Sequence, residues 1–103
     1  MTEESLTAIL AERAMGWKAA PDRFIKSGRR WIPRWRFRPL ADLANAFELL
    51  DQAAHRYTIV CDGNRSFTVS VQIGAHTGTA SGCSKPRVIT LAIAKALGVE
   101  VNR

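Results

Sequence analysis

The stretch RYTIVCDGNRSFTVSVQI, residues 56–73, contains the clearest structural signal in this chain of 103 residues. In its second half, apolar and polar residues alternate, and a two-residue period is typical of a strand with one buried face. Asp62-Gly63-Asn64 stands between two such runs and suits the tight turn of a hairpin. The stretch therefore predicts two antiparallel strands, residues 56–62 and 66–73, and the same alternation places Cys61 in the core.

Three segments around this hairpin show the spacing of apolar side chains that predicts a helix. The first covers about residues 3–15, with Thr2 as its N-terminal cap. The second covers about residues 40–54. The third covers about residues 85–97, with Ser84 as its cap, and it is apolar on most sides. We therefore expect the third helix to be deeply packed.

A second hairpin is predicted between the first two helices, from residues 23–26 to residues 31–37, with its turn at Ser27-Gly28. Pro33 indicates an edge strand or a bulge, because proline gives the ladder no donor. Alternate residues of the second strand form an aromatic set and a basic set. The aromatic set is expected in the core: Trp31, Trp35 and Phe37. The basic set is expected to face solvent: Arg34, Arg36 and Arg38.

The predicted fold class is therefore α+β, in the order α-ββ-α-ββ-α, as a three-layer α/β/α sandwich with an antiparallel sheet. One domain is expected over residues 1–103. Residues 74–84 (GAHTGTASGCS) are small and glycine-rich, and they are predicted to form a loop before the third helix. The polar Thr68, Ser70 and Gln72 indicate that one face of the sheet is only partly covered or lines a polar pocket.

The positive charge is concentrated in one segment. The chain has a net charge of +6, and residues 23–38 contain seven Lys and Arg with no acid among them. The other eight basic side chains are outnumbered by the 9 acids. A local positive field of this kind favours an anionic partner.

Other classes of protein are disfavoured. The N-terminus is acidic and lacks the basic start and apolar run of a signal peptide. No stretch approaches the roughly 20 apolar residues of a membrane span. Cys61 and Cys83 are too few for a disulfide scaffold. We therefore expect a cytoplasmic protein with reduced cysteines and no membrane partner.

Three local strings, in this order, resemble the phage ABA-sandwich family of small phage and prophage proteins. They are Met15-Gly16-Trp17 at the end of the first helix, WRFRPLADLANAFELLD at residues 35–51 and SKPRVITLAIAKALG at residues 84–98. The resemblance implies a three-layer fold, a phage origin and therefore the host cytoplasm, but no established activity or catalytic residue. Leu40 and Ala41 depart from the family pattern, which usually has a serine or threonine before the aspartate, so a hydroxyl cap is missing there.

Two groups of residues are candidate binding sites. In the basic segment, arginines would pair with phosphate oxygens and an aromatic ring would stack a base. These candidates are Arg29, Arg30, Arg34, Arg36, Arg38 and Trp31. In the glycine-rich segment, backbone amides before a helix would face a phosphate. The side chains that would assist there are His76, Ser84, Lys85 and Arg87. The alternatives are a solvated outer face for the first group and a flexible loop for the second.

No catalytic or metal site is predicted, and no cofactor. Cys83 and His76 form a lone pair of a nucleophile and a base, without a third group to orient them. The two cysteines and two histidines are too scattered for a metal centre. His55 at a helix end is favoured by the helix dipole and needs no catalytic role.

The sequence therefore predicts a phage-encoded, non-enzymatic binding protein that captures an anionic ligand. That ligand would be a nucleotide signal of host immunity or a nucleic acid, which suggests counter-defence. The alternative is a protein-directed inhibitor that docks on an acidic surface of a host factor, such as a defence nuclease. A homodimer is also expected, because the first hairpin offers an exposed strand edge.

Overall fold

Residues 2–99 of the computed structural model form three helices, a short 3-10 helix and six strands. The helices are α1 (Glu3–Arg13), α2 (Leu43–Ala53), α3 (Lys85–Ala96) and the 3-10 helix (Arg34–Arg36). The strands are β1 (Lys18–Ala19), β2 (Arg23–Ser27), β3 (Arg30–Pro33), β4 (Arg56–Cys61), β5 (Phe67–Ile73) and β6 (His76–Gly82). The α+β class with antiparallel strands is confirmed. Residues 1 and 100–103 of the predicted domain lie outside the described residues.

The strands form two three-stranded antiparallel sheets, in the orders β1-β2-β3 and β4-β5-β6. Both predicted hairpins are present, β2 with β3 and β4 with β5. Each sheet also has a third strand that the sequence pattern does not predict. β1 has only two residues and is therefore too short to show a period.

β6 replaces the loop that was predicted for residues 74–84, and that prediction is wrong. Its inward residues are Gly78, Ala80 and Gly82, which pair with inward residues of β5. A methyl group placed on Gly78 would overlap backbone atoms of α3, so α3 packs directly on the backbone of β6. Because this close approach requires small residues, β6 lacks the large apolar side chains that make a strand recognisable.

The prediction that the third helix is deeply packed is confirmed, since α3 lies at the centre of the molecule. One side of α3 packs on β5 and β6, and another side packs on α2. Its Thr90 is completely buried, and the hydroxyl donates a 2.8 Å hydrogen bond to the carbonyl oxygen of Pro39. This bond joins α3 to the segment that leads into α2.

The N-terminal cap of α1 is the predicted one, whereas the caps of α2 and α3 differ from the prediction. The Thr2 hydroxyl accepts a 3.0 Å hydrogen bond from the Ser5 amide, as expected. The second helix begins later than predicted, and Asp42 accepts a 3.2 Å bond from the Asn45 amide. A carboxylate therefore replaces the missing hydroxyl cap. Ser84 precedes α3, but its side chain makes no capping bond.

The aromatic residues of the second predicted strand are divided between core and surface. The 3-10 helix interrupts the strand after Pro33, so the alternation of inward and outward residues ends there. Phe37 is buried against Trp17 and Phe24, with ring centroids 4.9 and 5.8 Å away. Trp35 is 70% exposed, so the prediction that it lies in the core is wrong.

Two further predictions about burial fail for related reasons. Trp31 is 49% exposed, because its pairing with Ile25 places it on the outer face of the first sheet. Cys61 is exposed, although it follows the inward parity of β4. α3 packs on β5 and β6, which leaves the β4 side of the second sheet less covered.

The polar face of the second sheet is largely open. Hydroxyl pairs connect β5 and β6 on this face, at 3.0 Å between Thr68 and Ser81 and at 3.2 Å between Ser70 and Thr79. Thr68 and Gln72 are exposed to solvent. The interpretation that this face is only partly covered therefore fits the structure.

Candidate functional site

The basic segment, residues 23–38, begins as a hairpin whose turn is strongly positive. Arg29 and Arg30 lie in and after the turn, where Gly28 adopts a left-handed φ of 56°. Both side chains are exposed, and neither forms an ion pair within residues 2–99. Their charges are therefore available to an incoming anion.

Trp31 lies flat against a cation on the outer face of the first sheet. The Arg23 guanidinium is 4.1 Å from the centre of the Trp31 ring. The same guanidinium donates two hydrogen bonds to Asp22, of 3.0 and 2.9 Å. These bonds hold the pKa of the Asp22 carboxyl below its ordinary value and raise the pKa of Arg23. One face of the Trp31 ring is therefore already occupied by a paired arginine.

Arg34 has a structural role that separates it from the other arginines. Its Nε donates a 2.7 Å hydrogen bond to the carbonyl oxygen of Ala20, and its guanidinium lies 5.1 Å from the ring centre of Phe24. The side chain is half-buried. The prediction of a single strip formed by Arg34, Arg36 and Arg38 on one strand face is therefore wrong.

Arg36 and Arg38 remain at the surface beside Trp35. The Arg36 guanidinium lies 5.7 Å from the centre of the Trp35 ring. The Arg38 backbone amide donates a 2.8 Å bond to the side-chain oxygen of Asn45, which fixes the backbone while its side chain stays exposed. Neither guanidinium forms an ion pair in the described part of the chain. An exposed indole and two available arginines thus occur on four consecutive residues.

A cleft of about 570 Å³ opens next to Trp35. Its apolar floor is made by buried or half-buried residues, including Phe24, Phe37 and Leu40. Arg34, Trp35 and Arg38 form one part of its wall, and the acids Glu3, Glu4 and Asp22 form another. The cleft therefore has a mixed charge.

The second predicted group of binding residues is not brought together. His76 begins β6 and pairs with Ile73, whereas Ser84 lies two residues beyond the other end of this seven-residue strand, which is about 20 Å long. The expected phosphate loop is absent, because the segment that would present its amides is the strand β6. The same separation excludes a contact between His76 and Cys83 across this strand.

The remaining members of that group already have partners. The Lys85 ammonium lies 4.9 Å from the ring centre of Phe67, and Arg87 forms a 2.6 Å ion pair with Glu3. Ser84 and Arg87 line a second cleft of about 650 Å³ between α1, β6 and α3, which shares Glu3 and Leu40 with the first. The basic segment is therefore the better candidate site.

The exposed position of Trp35 and the acids of the first cleft differ from what the sequence pattern predicts. Pro33 and Pro39, on either side of residues 34–38, were the available signal, since each interrupts a regular ladder or helix. The acids come from α1 and the β1–β2 turn, so only the tertiary fold brings them to the cleft.

Two features are absent from residues 2–99: a helix suited to cross a membrane and a cluster of side chains suited to hold a metal ion. No helix in residues 2–99 combines the length and the apolar character that a membrane crossing requires. The same residues contain no group of three or more His, Cys, Asp or Glu side chains that could hold a metal ion.

No family model and no curated protein matches this chain. Among solved structures, a phage protein from Bacillus cereus is similar in fold, with a TM-score of 0.75 at 15% sequence identity. The alignment covers 99% of this chain and 93% of that protein. This likeness supports the predicted fold, whereas membership of the phage ABA-sandwich family stays a prediction.

Proposed function

We propose that this chain is a phage-encoded, non-enzymatic binding protein that captures an anionic ligand carrying an aromatic base. The ligand class is a nucleotide or a single-stranded nucleic acid. The binding surface consists of the exposed arginines and tryptophans of the basic segment: Arg29, Arg30, Trp31, Trp35, Arg36 and Arg38.

The observation that carries the proposal is the exposure of Trp35 between arginines that have no acidic partner in the described residues. A base that stacks on an indole exposed to this extent would stabilise the complex by roughly 1–3 kcal/mol. Arg36 and Arg38 would supply charge-assisted hydrogen bonds to phosphate oxygens next to that base. Stacking and phosphate pairing are thus available within one short segment.

The distribution of charge supports an anion over a cation. Seven positive charges lie in residues 23–38, and the acid closest to them in sequence, Asp22, is already paired with Arg23. The acids of the first cleft would repel a phosphate inside it, so the phosphates would bind Arg36 and Arg38 from the solvent side.

The phage origin and the host cytoplasm rest on the fold likeness to the Bacillus cereus phage protein, together with the family resemblance of the three sequence strings. A small binding protein in that setting would act by removing a signal from solution. The proposed biological role is therefore counter-defence, with a nucleotide signal of host immunity as the captured ligand.

A protein-directed inhibitor is the second candidate, and one observation favours it. Exposed tryptophan and arginine are also the side chains enriched at the centres of protein interfaces. An acidic surface of a host factor, such as a defence nuclease, would be the matching partner.

Mass spectrometry of material released from the purified protein separates these two candidates. The protein is freed of small molecules by gel filtration, heat-denatured and filtered. We expect nucleotides or short oligonucleotides in the filtrate of the wild type and less in that of a Trp35→Ala, Arg36→Gln variant. A filtrate without such compounds, together with no binding of added oligonucleotides, would contradict the ligand-capture proposal.

A further inference from the structure

β4 is an edge strand, and one side of its backbone is available for pairing. The second sheet has the order β4-β5-β6, so within residues 2–99 β4 has a neighbour on one side only. The Asp62 amide donates a 3.1 Å bond to the Ser66 carbonyl oxygen, and antiparallel pairs that exchange hydrogen bonds recur at every second residue. The even-numbered residues of β4 therefore direct their amides to β5. Tyr57, Ile59 and Cys61 direct theirs outward.

An independent contact supports this assignment. With that alternation, the odd-numbered residues of β6 direct their backbone groups away from β5. The Lys95 ammonium indeed donates a 3.0 Å bond to the Thr79 carbonyl oxygen on the outer side of β6. The β6 edge is thus partly covered, whereas no backbone bond from elsewhere in residues 2–99 reaches Tyr57, Ile59 or Cys61.

β4 also exposes apolar surface on both of its faces. Tyr57 is 43% exposed on the face that carries α3, and Val60 is 53% exposed on the open face. The strand contains no proline, glycine or lysine, which are residues that natural proteins use to protect an edge. An unprotected edge with exposed apolar side chains is a site for pairing with another strand.

Two copies of β4 can pair with each other so that their backbone hydrogen bonds form and opposite charges face each other. When two copies pair antiparallel around Ile59, the outward-directed Tyr57 lies opposite Cys61 of the second copy, and Ile59 lies opposite itself. About six backbone hydrogen bonds would form, two for each such pair. In the same register Arg56 lies opposite Asp62 of the second copy at both ends of the pairing, and both residues belong to the open face.

We infer that the protein forms a two-fold dimer through β4, with a continuous six-stranded antiparallel sheet running through both copies. A second copy of this chain is the occupant, because Arg56 at the start of β4 and Asp62, the residue directly after its end, carry opposite charges and would face each other across the pair. Pairing also covers Tyr57 and Val60 and satisfies the outward backbone groups. This surface is separate from the basic segment, so it does not depend on the proposed function.

The edge of the first hairpin, which the sequence analysis expected to form the dimer, suits this role less well. β3 has four residues, and its Pro33 cannot donate to a ladder. Arg30 begins it, and Arg29 and Arg34 flank it, so an antiparallel pair of β3 strands would bring like charges together at both ends. Arg29 and Arg30 stay exposed for a ligand when the dimer forms through β4.

Light scattering coupled to gel filtration at micromolar concentrations measures the association. Exchanging the charges of residues 56 and 62 tests the register of the paired strands. We expect the wild type to have the mass of two chains. The single variants Arg56→Asp and Asp62→Arg should each weaken association about tenfold or more, because each places like charges opposite one another twice. The double variant restores both pairs and should recover the dimer. Circular dichroism monitors folding, so a variant that loses its fold is recognised.

A disulfide provides a second test that does not require weakened binding. In a Cys83→Ser background, Tyr57→Cys places a thiol opposite Cys61 of the second copy, within the range of Cα separations that a disulfide spans. Mild oxidation should give a covalent dimer, and the matched variant Arg65→Cys should not. A monomeric wild type, a dimer that neither single variant weakens, or no covalent dimer from Tyr57→Cys would overturn the inference.

Discussion

Gly78 of β6 lies so close to Ala92 of α3 that no side chain fits between them. A methyl group on Gly78 would overlap the carbonyl oxygen of Ala92 and the backbone nitrogen of Ala96. Both are backbone atoms, so a rotamer change cannot relieve the overlap. This contact sets the distance between the central helix and the second sheet.

We therefore expect Gly78→Ala to lower the free energy of unfolding by about 3 kcal/mol, at the upper end of the usual cost of overpacking. Urea denaturation measures this value. Thr77→Ala is the matched control, because it changes an exposed residue of the same strand and should stay within about 0.5 kcal/mol of the wild type. Equal stability of the two variants would show that α3 does not approach β6 this closely.

The buried hydroxyl of Thr90 holds α3 to the segment before α2. Thr90→Val keeps the shape of the side chain but leaves the Pro39 carbonyl oxygen without its donor in a buried position. We expect a loss of roughly 1–3 kcal/mol in the free energy of unfolding, which is the cost of an unsatisfied buried group. Thr77→Val should leave the stability nearly unchanged. If Thr90→Val is as stable as the wild type, this hydrogen bond contributes nothing net.

Trp35 and Phe37 should respond in opposite ways to truncation. Phe37→Ala removes a ring from the core and is expected to cost about 3–5 kcal/mol. Trp35→Ala removes an exposed ring and should change stability by less than about 0.5 kcal/mol. Thermal melting of the two variants checks both values. A strongly destabilised Trp35→Ala would mean that the indole is packed in solution and unavailable to a ligand.

The Asp22 carboxyl should titrate below its ordinary pKa because Arg23 binds its charged form. A lowered pKa in the folded state stabilises the fold above the unfolded pKa, and this contribution is lost as the pH falls through the folded pKa. The pair is at the surface, so the effect on stability should be small. NMR titration should show the Asp22 pKa rising in Arg23→Gln. An unchanged pKa would mean that the ion pair is absent in solution.

Much of the fold could be predicted from the sequence, because large apolar residues alternate or recur wherever an element has one buried face. β5 with Val69 and Val71 is an example, and α3 is another. β6 could not be predicted in this way, since its inward Gly78, Ala80 and Gly82 are selected by contact with α3. Such a contact is tertiary and leaves no period in the sequence.

The candidate site was predicted in composition but not in geometry. The run of arginines identified the segment, whereas strand parity assigned Trp35 to the wrong side. That assignment failed because the 3-10 helix at Arg34–Arg36 changes the rotation per residue. The bond from Arg34 to Ala20 depends on residues far apart in the chain and was likewise beyond a local pattern.

The central claim is that the basic segment binds a base-bearing anion through Trp35 and its neighbouring arginines. Fluorescence polarisation of a labelled short oligothymidylate tests it most directly, with unlabelled tripolyphosphate as a competitor that has charge but no base. We expect binding that weakens with salt. The affinity should fall about tenfold or more in Trp35→Ala and in the double variant Arg36→Gln, Arg38→Gln. It should be unchanged in Arg65→Gln. Tripolyphosphate should compete poorly. No binding at low salt, or an equal loss in Arg65→Gln and in Trp35→Ala, would contradict the account.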